Sequence, residues 1–230
     1  MFLSLTTLLT PFIRINLLAE FATMQLTFDY IQTSLKTYTE ASSDFDFNEH
    51  LRQFETKAKR PAGVLIPLIH RPHGINVILT KRAQHLKYHA GQVSFPGGKF
   101  EQKDKNLSRT ALREAKEEIG LDPSNVVILG SCAKYETGTG FRITPYVGRI
   151  LQHFSPIPQA EEVEAVFEVP IELLLQTKNY RILKTKRNNF DYTYYGLEYL
   201  TYNIWGVTAK ILYRLANHLE TRDNSTDLEK

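Results

Sequence analysis

The sequence predicts an α+β fold in which a mixed β-sheet is sandwiched between helices, with an N-terminal helical appendage. Three observations predict it. Short, nearly continuous apolar runs bounded by turn residues, as in residues 62–69 and 75–79, are typical of buried strands. The segments Leu107–Ile119 and 206–219 repeat apolar side chains at helical spacing. No internal repeat or low-complexity linker divides the chain, so we expect one domain over residues 24–220.

The elements can be assigned in chain order. Apolar spacing predicts two helices between residues 28 and 56, with Asp44 or Asp46 as the N-cap of the second. The two apolar runs form a hairpin, and residues 93–95 form a short strand that ends at the turn residues Pro96, Gly97 and Gly98. Behind the helix Leu107–Ile119, which Gly120 closes, further strands are predicted at residues 126–135, 141–151, 162–169, 180–186 and 192–204, with helices at 170–175 and 206–219.

The first 23 residues are predicted to lie outside the domain. They are apolar and carry no charge before Arg14. They lack the basic region of a signal peptide, and Pro11, Arg14 and Asn16 interrupt the span of about 20 residues that a membrane helix needs. The favoured interpretation is an extension upstream of a second possible start at Met24. A surface or membrane-associated helix and a true targeting segment remain open.

The composition is that of an ordinary globular protein, with 42% hydrophobic and 23% charged residues among 230. The net charge of only +3 gives no general case for binding nucleic acid or a membrane surface, so we expect a small-molecule partner; the oligomeric state stays open. The single cysteine, Cys132, excludes an intramolecular disulfide and predicts a reducing, cytoplasmic setting. Residues 221–230 are polar and unpatterned, which predicts a frayed tail.

The helix Leu107–Ile119 carries three glutamates on one face, Glu114, Glu117 and Glu118, away from its apolar stripe. Carboxylates at this spacing repel one another unless a cation lies between them. Oxygen ligands favour hard divalent ions such as Mg²⁺ or Mn²⁺. A solvated helix face paired with Arg113 and Lys116 is the plainer alternative.

The segment before this helix favours a binding site over a solvated helix face. A Pro-Gly-Gly sequence after a strand, at residues 96–98, lets the backbone turn tightly and brings bare amides and carbonyls close to an ion or a phosphate. Strand, glycine turn, loop and acidic helix together predict a site for a metal-bound polyphosphate.

These residues resemble a known family. Gly98, then Asp104, then residues 113–121 (REAKEEIGL), are similar to the Nudix box, whose pattern is Gly, five residues, Glu, seven residues and Arg-Glu-(apolar)-x-Glu-Glu-x-Gly-(apolar). There are two departures. Asp104 replaces the first glutamate, and eight residues rather than seven separate it from Arg113.

A second set of residues resembles one subfamily, the coenzyme A pyrophosphatases. Residues 79–83 (LTKRA), Lys87, Gly91 and residues 95–98 (FPGG) are similar to the signature that leads into the box, although Lys87 stands where arginine is expected. Further matches lie at residues 144–145 (TP), 162–170 (EVEAVFEVP) and 205–209 (WGVTA), so the resemblance covers roughly residues 62–219.

The resemblance implies hydrolysis of the pyrophosphate bond of coenzyme A or its thioesters with Mg²⁺ or Mn²⁺. It places Glu114 and Glu118 as metal ligands, with Glu117 as a third ligand or helper and a backbone carbonyl of Gly97 or Gly98 completing the shell. Arg113 would orient the carboxylates by an ion pair; an exposed helix charge is the alternative for that residue.

The resemblance also suggests residues for the general base and for the contacts with the substrate. Glu162, at the start of a predicted strand, resembles the position of the base in related enzymes, with Glu161 and Glu114 as competitors and an ordinary acidic turn as the alternative. The substrate phosphates would be bound by basic residues of the subfamily signature, which are Lys81, Arg82 and Lys87. The basic run at residues 178–187 is read as a solvated strand face.

Two other functions stay open. The Nudix box alone also fits a pyrophosphatase of ADP-ribose or another nucleoside diphosphate derivative. A catalytically silent domain that senses a nucleotide or binds RNA is the alternative outside enzymes, although its usual mark would be a damaged glutamate set.

Overall fold

The computed structural model describes residues 26–55, 58–187 and 189–226. The α-helices are α1 (Phe28–Leu35), α2 (Leu107–Ile119), α3 (Ile171–Leu174) and α4 (Val207–Thr226). The strands are β1 (Ser42–Ser43), β2 (Arg60–Arg71), β3 (Gly74–Arg82), β4 (Val93–Ser94), β5 (Gly97–Lys99), β6 (Val126–Ser131), β7 (Tyr135–Glu136), β8 (Phe141–Ile150), β9 (Val163–Pro170), β10 (Arg181–Arg187), β11 (Phe190–Tyr199) and β12 (Tyr202–Trp205). The extension predicted at residues 1–23 lies outside the described residues.

Over the described residues the strands form two sheets. The larger is a mixed sheet of nine strands with the order β1-β7-β8-β2-β3-β4, in which β5 also pairs with β2, β6 with β8 and β9 with β3. β2 runs parallel to β8 and antiparallel to β3. Strands β10, β11 and β12 form a smaller antiparallel sheet. The predicted hairpin is β2–β3, with Arg71 opposite Gly74.

Helices cover both faces of the larger sheet. On one face, Ala111, Ala115 and Ile119 of α2 are fully buried together with Leu65 and Ile78 of the sheet. On the other face, α1, α3 and α4 and the smaller sheet share a second core with the strands, through Ile31, Leu35, Val77, Leu79, Leu174, Leu197, Leu212 and Leu215. The predicted α+β sandwich is therefore confirmed, and each large side chain buried in it stabilises the fold by about 1.5–3 kcal/mol.

Helix α2 begins and ends where its capping residues lie. Asn106 has an extended backbone and its side chain accepts a hydrogen bond from the Arg109 amide. Gly120 adopts the left-handed conformation with φ 72°. Its amide donates to the carbonyl of Lys116, and the Leu121 amide donates to that of Ala115. The predicted bounds of this helix are confirmed.

The prediction of a second N-terminal helix is wrong. The chain there forms two 3-10 segments, Asp44–Asp46 and Glu49–Phe54. The N-cap of the first segment is Ser43, whose backbone amide bonds in return to the Asp46 carboxylate. The carboxylate of Asp44 instead accepts from the Tyr135 hydroxyl at 2.6 Å and the Gly138 amide at 2.7 Å. These long-range contacts hold the segment in short turns, and a continuous helix would break them.

The prediction that Gly97 and Gly98 form a turn is also wrong. Only Phe95 and Pro96 separate β4 from β5, and Gly97–Lys99 pair as a strand with residues 62–64 of β2. A Cβ at Gly97 would lie 2.6 Å from the Cα of Val64, so the glycine permits the close approach of two strands.

Three further bounds differ from the prediction. The strand expected at residues 126–135 is divided into β6 and β7, and the one at 192–204 into β11 and β12. Leu200, with φ 52°, forms the turn of the second pair, since Tyr199 lies opposite Tyr202. Helix α4 continues to Thr226, so residues 221–226 are helical and not a frayed tail. None of the helices in the described part of the chain is long and apolar enough to span a membrane.

Candidate active site

The glycine strand β5 lies between β2 and the acidic face of α2. A Cβ at Gly98 would overlap the carboxylate of Glu114. Only glycine therefore lets that carboxylate lie directly against the β5 backbone. On the same strand, the backbone of Gly97 lies close enough to the carboxylate of Glu118 to lower its pKa against the effect of burial. The two predicted metal ligands one turn apart on α2 are thus both in contact with β5.

Arg113 joins the loop before α2 to the acidic face of the helix. Its Nε lies 2.9 Å from Oδ1 of Asp104 and its Nη2 lies 3.0 Å from Oδ2. Its Nη1 lies 2.9 Å from Oε1 of Glu114 and 2.8 Å from Oε2 of Glu117. The guanidinium also donates to the carbonyl of Lys99. Arg113 is therefore no exposed helix charge, and it contacts two of the three glutamates.

Asp104, the partner of Arg113 in this ion pair, is buried. It also accepts hydrogen bonds from the Thr110 hydroxyl at 2.9 Å and the Glu101 amide at 3.1 Å. These donors, and the Arg113 guanidinium above all, hold the pKa of Asp104 well below its usual range. The shorter side chain at the position of the family's first glutamate thus still reaches the arginine.

The pKa of Glu118 is shifted in the opposite direction from that of Asp104. Burial raises its pKa to about 8, and the charge of Glu114 adds to that effect, while the Gly97 amide and the charge of Arg82 oppose it. Among the described residues, no lysine or arginine forms an ion pair with Glu118. Burial likewise raises the pKa of Glu114, against the effect of Arg113.

The donor set fits a hard divalent cation. Within the described ranges, no three Asp, Glu, His or Cys side chains are arranged around a common point as they stand, because Glu114 and Glu117 bond to Arg113. The fit rests on Glu118, a buried carboxylate without an ion-pair partner, and on the backbone of β5 beside it. A bound cation would favour the ionised form of that carboxylate and offset its burial.

Glu162 lies close to the same carboxylates. Its charge raises the pKa values of both Glu114 and Glu118. The backbone carbonyl of Glu162 accepts from the amide of Ala83, directly after β3. Its competitor Glu161 has its carboxylate 3.2 Å from the side-chain amide of Gln159. The structure thus brings Glu162 to the acidic face of α2.

The three basic residues predicted to bind substrate do not converge. The pairing of β3 with β9 is irregular between Lys81 and Arg82, and the two side chains have different neighbours. Lys81 forms an ion pair with Glu164 at 2.7 Å. Arg82 lies near Glu118, and its buried Nε has no hydrogen-bond partner. Lys87 is exposed in the loop between β3 and β4, with its Nζ 5.4 Å from the centre of the Tyr88 ring.

Two residues at this site were not singled out from the sequence. Thr110 is fully buried and binds Asp104, and Gln159 contacts both Glu161 and Glu162. The sequence pattern that could have indicated Thr110 is a hydroxyl on the inner face of α2 near an acidic residue. For Gln159, a side chain three residues before an acidic position is a common pattern in turns, and it does not by itself indicate a function.

A helix with several glutamates beside a glycine-containing strand is suited to hold a divalent cation against a phosphoanhydride. A family model described as NUDIX domain matches residues 59–188. The chain belongs to the Nudix hydrolase family.

Relatives agree with this family over most of the chain. A protein of Yersinia enterocolitica named "Uncharacterized Nudix hydrolase NudL" is 36% identical over 190 residues, which is 83% of this chain and 97% of the relative. A protein of the same name from Salmonella newport is 39% identical over 186 residues, or 81% and 96%. A solved Nudix hydrolase from M. smegmatis, RenU, is similar with a TM-score of 0.39 and 19% identity over 51% of this chain and 74% of that one.

Proposed function

We propose that this Nudix hydrolase cleaves the pyrophosphate bond of coenzyme A or its thioesters, giving 3′,5′-ADP and 4′-phosphopantetheine or its acyl derivative. The observation that carries the proposal is the position of residues 79–98, which resemble the coenzyme A pyrophosphatase signature. The Gly97 backbone and the charge of Arg82 both act on the Glu118 carboxylate, and the Ala83 amide donates to the backbone carbonyl of Glu162. The signature thus lies against the glutamates of the candidate active site.

The cation site is assigned to α2 and β5. Nudix hydrolases generally use divalent metals such as Mg²⁺ or Mn²⁺. When bound, such a cation neutralises the charge of the pyrophosphate and lowers the pKa of a coordinated water. Glu118 and Glu114 would hold it, with Glu117 as a third ligand and a backbone carbonyl of Gly98. Arg113 orients Glu114 and Glu117 and keeps them from repelling each other.

In the chemical step, the oxygen of a water attacks one phosphorus of the anhydride and the bond from that phosphorus to the bridging oxygen breaks. Glu162 takes the proton of the water, because its carboxylate lies near Glu114 and Glu118 but not in an ion pair. Glu161 is a weaker choice, since its carboxylate already binds Gln159.

The charged substrate is bound by the basic residues of the signature. The charge of Arg82 acts on Glu118 of α2, so Arg82 lies where it could bind the pyrophosphate. Exposed Lys87 is suited to the outlying 3′-phosphate of coenzyme A. Lys81 would have to exchange its partner Glu164 for a phosphate.

A substrate panel tests the proposal. Purified protein with Mn²⁺ is incubated with coenzyme A, acetyl-coenzyme A, ADP-ribose, a dinucleoside polyphosphate and a deoxynucleoside triphosphate, and the products are identified by mass spectrometry. We expect the highest kcat/KM for the coenzyme A species, with 3′,5′-ADP among the products. Preference for any of the other three overturns the substrate assignment.

The panel also separates an enzyme from a sensor. A protein whose melting temperature rises with coenzyme A, but which turns over none of the five compounds, would be a nucleotide-sensing domain. The complete set of glutamates on α2 supports the enzyme.

A further inference from the structure

The turn that carries Glu161 and Glu162 is attached to the end of α2. Because Gly120 leaves the helical conformation, the carbonyls of Glu118 and Ile119 have no helical amide to accept from. The amide of Gln159 donates to the Glu118 carbonyl at 2.9 Å, and that of Ile157 donates to the Ile119 carbonyl at 3.0 Å. The main chain of Gln159 is therefore bonded to the residue assigned as a metal ligand.

The same residue organises the turn. The carbonyl of Gln159 accepts from the amides of Glu162 at 3.0 Å and Val163 at 2.8 Å. Its side-chain Oε1 accepts from the Glu162 amide at 2.9 Å, and its Nε2 donates to Oε2 of Glu161 at 3.2 Å. Gln159 thus contacts the backbone of Glu162 with its main chain and its side chain together.

These bonds join two functional groups that the chain brings from distant positions. One set of Gln159 contacts leads to Glu118 on α2, and the other leads to Glu162 before β9. The Glu162 carboxylate itself is exposed and has no ion pair among the described side chains. Its position relative to α2 therefore depends on the backbone of the turn, which Gln159 holds.

We propose that Gln159 is a positioning residue for the hydrolysis, which fixes the turn so that the Glu162 carboxylate faces the attacking water. This inference rests on the proposed function, and in particular on Glu162 as the general base. Gln159 acts on the orientation of the base and not on the binding of the substrate. Loss of its side chain should therefore lower kcat and leave KM unchanged.

The test compares Gln159→Met, Glu162→Gln and the double variant, with Gln152→Met as the control. Methionine keeps the length of the side chain and removes both hydrogen bonds. The side chain of Gln152 is exposed on the same connection between β8 and β9. For each protein, kcat and KM are measured with Mn²⁺ on the substrate that wild type prefers, and the melting temperature is recorded.

We expect Glu162→Gln to lower kcat about a hundredfold and Gln159→Met about tenfold, with KM within twofold of wild type. The double variant should be no slower than Glu162→Gln alone, because a residue that acts through the base loses its effect once the base is gone. Gln152→Met should match wild type, and all melting temperatures should agree within about 3 °C.

Other results overturn the inference and differ from a failure of the proposed function. Wild-type kcat in Gln159→Met, a change in KM alone, or equal losses with and without Glu162 each exclude the positioning role while hydrolysis stands. Full activity of Glu162→Gln removes the base through which Gln159 would act. A wild-type protein that cleaves no phosphoanhydride in the panel overturns the proposed function and this inference together.

Discussion

The loop before α2 and the last turn of α2 each hold a buried carboxylate, and the pKa values of the two are shifted in opposite directions. Asp104, against the first turns of the helix, is 6% exposed, and Glu118, in its last turn, is 4% exposed. Arg113 lowers the pKa of Asp104, whereas burial raises the pKa of Glu118 to about 8. The shifts are opposite because Asp104 has its cation within the chain, whereas Glu118 is the more strongly desolvated of the two and has no such partner among the described residues.

The difference separates a structural pair from a binding group. A buried charge is stable only when it is paired, and the protein supplies that pair at the Asp104 end. At the Glu118 end, a cation from solution would serve the same purpose. Four experiments test whether the two carboxylates differ in this way.

Replacing Arg113 with methionine should destabilise the protein most. The substitution leaves Asp104 buried and unpaired, so we expect the free energy of unfolding to fall by about 3–5 kcal/mol. Urea unfolding at pH 7 measures it. Lys116→Met, which removes a pair between largely exposed Lys116 and Asp122, should cost less than about 1 kcal/mol. Equal effects of the two substitutions would show that the Asp104 end is no structural pair.

Glu118→Gln should abolish most of the activity and leave the fold intact. The loss of kcat/KM should be about a hundredfold or more, or about 2.7 kcal/mol in transition-state stabilisation. The melting temperature should stay the same or rise, because the amide removes a buried carboxylate. The matched control is Glu49→Gln, whose side chain is 74% exposed and pairs with Arg52, and it should leave kcat/KM unchanged. Turnover near wild type in Glu118→Gln would remove it from the cation site.

Mn²⁺ should stabilise wild type more than Glu118→Gln. At a free concentration ten times its dissociation constant, a cation that binds only the folded state adds about 1.4 kcal/mol. Thermal unfolding with increasing Mn²⁺, with Ca²⁺ and EDTA as comparisons, measures the shift. The idea that the Glu118 end receives an external cation fails if both proteins respond equally.

The Asp104 end should show its charge at acid pH. A carboxyl whose folded pKa lies below its unfolded value of about 3.9 contributes stability above that pH and loses it as the pH falls further. The difference in unfolding free energy between wild type and Asp104→Asn should therefore be constant from pH 7 to pH 5 and shrink by about 1 kcal/mol at pH 3. Urea titrations at these pH values measure it, and a constant difference down to pH 3 contradicts the ion pair.

The sequence predicted the parts of the molecule that depend on local signals. The bounds of α2 followed from apolar spacing and from Gly120, both of which act within the helix. β5 was not predictable, because glycines in sequence indicate a turn and its pairing with β2 lies more than 30 residues away. The 3-10 segments after β1 were missed for the same reason, since Asp44 is held by Tyr135 and Gly138.

The candidate site divides in the same way. An ion pair of Arg113 with the glutamates was expected from the family resemblance, and from helical spacing as the plainer alternative of a solvated face, and the structure contains it with Glu114 and Glu117. The place of Glu162 beside α2 was expected only from the family resemblance. Neither route led to Gln159, whose bonds depend on how the connection from β8 returns to the end of α2. Thr110 was missed because a threonine inside a helix is ordinarily a packing residue.

The attachment of Gln159 to Glu118 also bears on the order in which the site assembles during folding. Asp104 and Arg113 are separated by 9 residues, so a short loop closes their ion pair. The carbonyl of Glu118 accepts from the amide of Gln159, which follows about 40 residues later in the chain. Loop-closure entropy and contact order both favour early formation of the nearer contact. The ion-paired end of α2 should therefore form first, and the end that carries the cation ligand should be completed only when the strand connection docks.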